Sequence, residues 1–280
     1  MKFQLLAVKS YYKSLSFIAP KVAANKAFML FQKVRIKTIR KREEEFYLRA
    51  KAIEVPNKTT DFQVYELGNP EGKPLLLVHG WDSNIGSMSN FAFNFSKENY
   101  KVIAINLPAH GKSKQVHTNM FECKNTVKEV LKHYNFKESI SIIAHSFGSG
   151  VIAYALSEVN VHVDRLVFLT AANKIDEIFL EFKNFINLGD KSYQMMVQKA
   201  NELLGENLLE LITSEKLLKS NFDKGLIIHD KFDKVLPYRN AETIGYSVKN
   251  IEVMPFEKIG HYRMLWNDEV LKATISYIAN

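Results

Sequence analysis

Short apolar runs alternate with stretches of helical periodicity along most of the chain. Runs rich in aliphatic and β-branched residues predict strands, and apolar residues at helical spacing predict helices near Asn90 and Val127. The predicted strands read FQVYEL, PLLLVHG, YKVIAINLP, SISIIA, DRLVFLTAA, GLIIHD and NIEVMPF, beginning at Phe62. This alternation predicts an α/β fold in which a mostly parallel central sheet is flanked by helices.

Two segments depart from the alternation. Roughly fifty residues between Asn173 and Asp223 are helical in pattern and rich in Phe, Leu and Met, which predicts an insertion over the sheet. The N-terminal segment is predicted to be helical, with a break at Pro20 and Lys and Arg opposite the apolar face. The apolar positions of that face are Val8, Tyr11, Tyr12, Leu15 and Ile18, then Ala23, Ala27, Leu30, Phe31 and Val34.

We therefore expect two parts, a basic amphipathic helical segment over residues 1–55 and a main domain over residues 56–280. The stretch VPNKTT, from Val55, is the predicted linker between them. The main domain carries the helical insertion, residues 173–223. A chain of 280 residues with 46% hydrophobic content is long enough for one large α/β domain with such an insertion.

The net charge of +8 suggests nucleic-acid binding, but its location argues against it. Residues 1–52 hold 13 of the 38 Lys and Arg residues and 3 of the 30 acidic residues, so the main domain is nearly neutral. We predict no nucleic-acid partner. Three roles stay open for the basic helices: packing on the main domain, a homo-oligomer contact, or peripheral attachment to a membrane surface.

The single cysteine, Cys123, suits a reducing compartment and is expected to be a structural thiol on a helix. No run approaches eighteen apolar residues, and the first residues lack the apolar core and cleavage site of a signal peptide. We predict a cytoplasmic protein, and peripheral contact with the inner membrane surface stays open.

The stretch SISIIAHSFGSGVIAYAL runs from a predicted strand into a predicted helix at Ser146. A turn of this kind leaves room only for small neighbours, which Ala144, Gly148 and Gly150 provide. Two interpretations stay open: Ser146 is a nucleophile presented at a helix N-terminus, or it is a capping residue in a structural turn.

Other polar residues follow the remaining strands, where functional groups gather in a parallel sheet. The segments are HGWDS after PLLLV, NLPAHGKS after YKVIAI, HDKFDKVLP after GLII, and GHYRM after the last strand. A serine, an aspartate and a histidine thus occupy three strand ends, in the order Ser146, Asp233, His261.

Together these segments resemble the α/β-hydrolase superfamily, from about Phe62 to Ile278. The turn at Ser146 resembles its nucleophile elbow, G-x-S-x-G, and HGWDS its oxyanion loop. NLPAHGKS resembles D-x-P-G-H-G-x-S, and HDKFDKVLP resembles the acid loop G-x-x-D-x-x-V-P. The departures are Ala144 for Gly, Asn106 for Asp, Ala109 for Gly, and Asp230 for Gly.

The resemblance implies an α/β-hydrolase fold with a helical lid and a catalytic triad. Ser146 would be the nucleophile, His261 the base, and Asp233 the acid, with Asp230 as the rival acid. Backbone N–H groups of Trp81 and Phe147 would form the oxyanion hole, and no metal or cofactor is required. His79, His110 and His145 are expected to bond loop backbone.

The function implied is hydrolysis of a carboxylic ester with a small to medium hydrophobic acyl group, through an acyl-enzyme. The alternatives are a thioesterase, a lysophospholipase or lipase, and a ligand-binding protein on the same fold. Aromatic and Met residues of the insertion either line an acyl pocket or form ordinary core. They are Phe179, Phe182, Phe185, Met195 and Met196.

Overall fold

The computed structural model describes residues 2–56 and 60–280, and residues 57–59 of the predicted linker lie outside them. An eight-stranded sheet forms the centre. Its strands are β1 (Lys51–Ile53), β2 (Gln63–Gly68), β3 (Lys73–Val78), β4 (Tyr100–Asn106), β5 (Ile140–His145), β6 (Val163–Leu169), β7 (Phe222–Asp230) and β8 (Ile251–Phe256).

The strand order across the sheet is β1-β2-β4-β3-β5-β6-β7-β8. β2 pairs antiparallel with both β1 and β4, and all other neighbours are parallel. The predicted α/β class with a mostly parallel sheet is confirmed. β1 was not predicted, because it has only three residues and none of them is buried. Its place in the sheet depends on pairing with β2.

Helices connect the strands and precede the sheet. They are α1 (Lys2–Ile18), α2 (Pro20–Phe31), α3 (Lys41–Arg49), α4 (Ser89–Phe95), α5 (Met120–Tyr134), α6 (Phe147–Leu156), α7 (Ile175–Ile186), α8 (Asp190–Leu204), α9 (Thr213–Leu217), α10 (Arg239–Ser247) and α11 (Asp268–Ala279). Cys123 lies buried in α5, and burial raises its thiol pKa to about 12. Within the described residues, no helix has the length and apolar character needed to cross a bilayer.

The chain divides into two compact units, and the smaller one is entirely helical outside its loops. It comprises residues 1–33 with residues 174–212. Phe31 packs on Phe179 and Phe182, with ring centroids 4.3 and 5.1 Å apart. Met196 of α8 is fully buried. These three insertion residues therefore form part of the core of the helical unit.

The predicted apolar face of the N-terminal helices is only partly buried. Tyr12, Ala23 and Ala27 are buried as the helical pattern predicts. The prediction is wrong for Ile18, which is 78% exposed at the end of α1. Helix α1 ends at Ile18 and Pro20 begins α2, as the predicted break at Pro20 requires, and Ile18 lies at this junction without a covering neighbour in the part of the chain that the structure describes.

The larger unit, residues 34–173 with 213–280, contains the sheet together with α3. Helix α3 carries a buried carboxylate, since Glu43 is 1% exposed. Glu43 accepts hydrogen bonds from the N–H of Arg40, at 2.9 Å, and from Asn84 Nδ2, at 2.8 Å. Tyr47 O–H donates to Asn84 Oδ1 at 2.7 Å. α3 is thus tied to the loop that follows β3 by buried polar groups.

The same network explains why Asn106 replaces the aspartate of the family motif. Its Oδ1 accepts the N–H of Ile85 at 2.7 Å, while its Nδ2 donates to Gln63 Oε1 at 3.3 Å and to Tyr47 Oη at 3.2 Å. A carboxylate could accept but could not donate. Gly111 has φ of 55°, and a Cβ there would lie 2.4 Å from Asn106 Nδ2. The position that packs against the Asn106 amide therefore requires glycine.

We expect Glu43→Ala to lower the free energy of unfolding by about 2 kcal/mol, because it leaves the Arg40 N–H and the Asn84 amide unpaired in a buried site. The midpoint of thermal unfolding should fall by roughly 4–8 °C. Glu44→Ala, at an exposed position of the same helix, is the control and should change stability by less than about 0.5 kcal/mol. Equal effects of the two substitutions would contradict the role given to Glu43.

Candidate active site

The turn between β5 and α6 places Ser146 in a strained backbone conformation, with φ of 53° and ψ of −117°. The turn is so tight that a Cβ at position 148 would lie 2.6 Å from the carbonyl oxygen of His79, and this position therefore requires Gly148. Gly150 is not required to the same degree, since a Cβ there would meet only the terminal methyl of Met120, at 3.1 Å.

A chain of hydrogen bonds runs from Ser146 through His261 to Asp233. Ser146 Oγ lies 2.9 Å from His261 Nε2, and His261 Nδ1 lies 2.7 Å from Asp233 Oδ2. The structure thus brings together the three residues that the sequence analysis singled out. Asp230 is turned elsewhere, because its Oδ2 accepts the backbone N–H of Gly260.

The Asp233 carboxylate is fully buried and well supplied with donors. Its Oδ1 accepts the N–H groups of Val235, at 2.7 Å, and Leu236, at 3.1 Å. Burial acts to raise its pKa, but the hydrogen bond and charge of His261 and the two backbone donors outweigh burial, so the pKa lies below its ordinary value of 3.8. Asp233 is therefore ionised at neutral pH, with its second oxygen aimed at His261.

Three other histidines near the turn hold loop backbone in place. His79 Nε2 accepts the N–H of Leu107 at 3.1 Å, and His145 Nε2–H donates to the carbonyl oxygen of His261 at 3.1 Å. Burial lowers the pKa of His145 to about 3 and that of His110 to about 4, and it lowers the pKa of His79 as well. All three are neutral near pH 7.

The loop after β3 and the first residue of α6 both border Ser146. A Cβ at Gly80 would lie 3.2 Å from Ser146 Cβ, so the loop after β3 touches the turn. The rings of Trp81 and Phe147 pack edge to face, with centroids 5.0 Å apart. Phe147 is the first residue of α6, where a backbone N–H has no acceptor within the helix.

Backbone strain is concentrated around this site. Positive φ values are unfavourable for residues with a Cβ and cost on the order of 1–3 kcal/mol each. Ala109, at φ of 65°, stands where the family motif has a glycine, which adopts this conformation without strain. Positive-φ residues follow five of the strands: Asp82, Ala109, Ser146, Thr170 and Lys258.

In residues 2–56 and 60–280, no three His, Cys, Asp or Glu side chains are arranged as a group that could hold an ion.

Comparison with known proteins identifies the family. A family model described as "alpha/beta hydrolase fold" matches residues 73–226, more than half of the chain. The chain therefore belongs to the α/β-hydrolase family. An "AB hydrolase superfamily protein" of Bacillus subtilis is 22% identical over 249 residues, covering 75% of this chain and 92% of that protein.

Further similarities are more distant or shorter. A "Probable serine hydrolase" of Drosophila melanogaster is 25% identical over 110 residues, 38% of this chain, and only a third (33%) of the fly protein is matched. The esterase Pf2001 of Pyrococcus furiosus superposes with a TM-score of 0.62 and 18% identity, covering 88% of this chain and 96% of the other. An esterase of Exiguobacterium antarcticum gives 0.58 and 20%, covering 78% and 96%. These structures share the fold.

The lowered pKa of Asp233 predicts a pH-dependent contribution to stability. A folded-state pKa below the ordinary value means that the stabilisation is present above pH 3.8 and is lost as the pH falls towards the folded-state value. We expect Asp233→Asn to be less stable than the wild type at pH 6, and the difference to shrink below about pH 4. Urea unfolding across this pH range measures it.

The matched control is Asp268→Asn, at an exposed position in the first turn of α11. Its difference from the wild type should change little over the same range. A difference for Asp233→Asn that stays constant or grows on acidification would contradict the assignment of an ionised, hydrogen-bonded carboxylate.

Proposed function

We propose that this protein is a serine hydrolase that cleaves carboxylic esters of small to medium hydrophobic acyl groups through an acyl-enzyme. The observation that carries the proposal is the hydrogen-bonded series from Ser146 Oγ through His261 to Asp233. It occurs at a strained turn between a strand and a helix, in a chain of the α/β-hydrolase family.

In the first step, His261 Nε2 accepts the proton of Ser146 as Oγ attacks the ester carbonyl carbon. A serine hydroxyl is a weak nucleophile near neutral pH, so it needs this base within hydrogen-bond distance. His261 then returns the proton to the leaving alcohol. Water hydrolyses the acyl-enzyme by the same proton transfers in reverse order.

Asp233 would keep the proton of neutral His261 on Nδ1, which leaves Nε2 free to accept from Ser146. Its negative charge would also stabilise the imidazolium that forms during each step. The oxygen of the tetrahedral intermediate needs fixed donors, and the backbone N–H groups of Trp81 and Phe147 are our candidates. Each donor of this type contributes about 3–4 kcal/mol in enzymes where one has been removed.

Similar folds in solved esterases support an ester, as does the serine at the turn. We assign the helical insertion, residues 173–223, the role of a lid that closes over a hydrophobic substrate. A cytoplasmic location, favoured by the single buried cysteine, belongs to the same proposal.

The test is hydrolysis of p-nitrophenyl esters from acetate to palmitate by the intact protein and by Ser146→Ala. We expect the substitution to lower kcat by about 10⁴-fold or more, because the nucleophile is removed. Ser157→Ala, just beyond the other end of α6, is the control and should retain activity. A fluorophosphonate probe should label the intact protein at Ser146 and should not label Ser146→Ala.

Each other outcome is informative. Activity on thioesters alone would replace the ester with a thioester and keep the mechanism. A folded protein that neither turns over esters or thioesters nor reacts with the fluorophosphonate would overturn the proposal in favour of a ligand-binding protein.

A further inference from the structure

The junction of α1 and α2 exposes large apolar side chains. Phe17 is 90% exposed, Ile18 is 78% exposed and Val22 is 45% exposed. They lie on either side of Pro20, where α1 ends and α2 begins. We call Phe17, Ile18 and Val22 the apolar corner. Phe17 and Ile18 are adjacent apolar side chains, and at this exposure they stay in contact with water unless another molecule covers them.

The apolar corner is held by the rest of the helical unit. The N–H of Gly189 donates to Ser16 Oγ at 3.0 Å, and Lys199 Nζ donates to Asn25 Oδ1 at 2.8 Å. On the opposite side of the two helices, Tyr12 and Ala23 are buried. The exposed residues are therefore presented by a packed helical corner.

The helices α1 and α2, which carry the apolar corner, have lysines as their only charged residues. Residues 1–33 contain six lysines and no acidic residue. Lys13 and Lys21 are exposed, and each is four positions from Phe17 in sequence. Asp190, which follows the Gly189 that binds Ser16, is paired with Lys183 at 2.5 Å, so its charge is offset within the unit.

We propose that the apolar corner inserts into the surface of a membrane that contains anionic lipids. Protruding aromatic and aliphatic side chains on helices that also carry exposed lysines match the interfacial zone of a bilayer, where rings enter the acyl boundary and lysines meet anionic headgroups. Strongly exposed apolar side chains on helices whose only charged residues are lysines favour this occupant over a protein groove. The inference does not depend on the hydrolase activity.

The test uses the full chain and sedimentation with vesicles of phosphatidylcholine alone, or of equal parts phosphatidylcholine and phosphatidylglycerol. We expect binding to the anionic vesicles, weaker binding to the neutral ones, and loss of binding at about 0.5 M salt. Phe17→Ser with Ile18→Ser, and separately Lys13→Glu with Lys21→Glu, should each weaken binding by about tenfold or more.

Tyr246→Ser is the matched control, because Tyr246 is 92% exposed on α10 of the other unit. This variant should bind like the wild type. Absence of binding to anionic vesicles, or binding that the Phe17 and Ile18 substitutions do not change, would overturn the proposal. A dimer in light scattering that the same substitutions convert to a monomer would instead identify a second copy of the chain as the occupant.

A second inference concerns Arg35 and rests on the proposed function. Arg35 binds the loop after β3 with three hydrogen bonds to one carboxylate. Its backbone N–H donates to Asp82 Oδ1 at 2.7 Å, and its Nε and Nη2 donate to Asp82 Oδ2 at 2.9 and 2.6 Å. Asp82 directly follows Trp81, whose N–H is a proposed oxyanion donor, and it has an unfavourable φ of 51°.

Residues 34–37 act as a strap across two loops of the site. The N–H of Val34 donates to the carbonyl oxygen of Val116 at 2.9 Å, and Lys37 Nζ donates to the carbonyl oxygens of Ser113 and Gln115. Arg35, between them in sequence, is bonded to the β3 loop. The strap therefore connects the loop after β4 with the loop that carries Trp81.

We infer that Arg35 is a positioning residue, which holds Asp82 in its strained conformation and so aims the Trp81 N–H at the oxyanion. An N–H donor that is not held in position stabilises the transition state less, because the negative charge on the oxyanion develops there, while substrate binding changes little. We expect Arg35→Ala to lower kcat for p-nitrophenyl esters by about tenfold, with KM changed less than about twofold. Because the Arg35 side chain is 59% exposed, millimolar guanidinium should restore part of the activity.

Arg49→Ala is the control, since Arg49 also forms an exposed ion pair, with Glu45 at 3.2 Å, but lies outside the strap. It should keep full kcat and show no response to guanidinium. An active wild type with unchanged kcat in Arg35→Ala would overturn the role of Arg35 alone. A wild type without Ser146-dependent turnover would instead remove the proposed function.

Discussion

The turn at Ser146 is the constraint on which the rest of the site depends. Its backbone has φ of 53° and ψ of −117°, and α6 approaches the end of β3 so closely that position 148 must be glycine. The same approach brings the loop of Gly80 against Ser146. The parallel pairing of β3 with β5 fixes the two neighbouring strand ends, and this rigid sheet maintains the strained turn that follows β5.

Buried polar groups surround this turn and are bonded to backbone. His145 donates to the carbonyl oxygen of His261, and Asp230 accepts the N–H of Gly260, so the loop that carries His261 is held at two adjacent residues. Burial keeps His145 neutral, and His261 is the histidine that lies between Ser146 and Asp233. The loops around the site are therefore fixed by histidines and carboxylates that do not themselves lie in the hydrogen-bonded series.

The N-terminal region, which reads as one basic segment, divides into two parts with different surroundings. Lys9, Lys13, Lys21 and Lys26 lie on α1 and α2, the helices that carry the exposed Phe17 and Ile18. From Val34 onward the chain joins the sheet unit, where Arg35 and Glu43 bind the loop after β3. Charge counting cannot separate these parts, because it records the number of charges and not their partners.

The sequence by itself predicted every strand of the sheet except β1. Apolar runs such as LLLV and VIAI are buried on both faces of the sheet, and an uninterrupted apolar run is the pattern that predicts such a strand. The small residues at the elbow and the order of Ser146, Asp233 and His261 were also readable, because motif and local sterics suffice. The motif favours Asp233 over Asp230 as the acid, but only the tertiary structure shows that Asp233 bonds His261 while Asp230 accepts the N–H of Gly260. Tertiary structure also decided that β1 joins the sheet and that Ile18 is exposed, since each depends on contacts between residues far apart in the chain, which local periodicity does not encode.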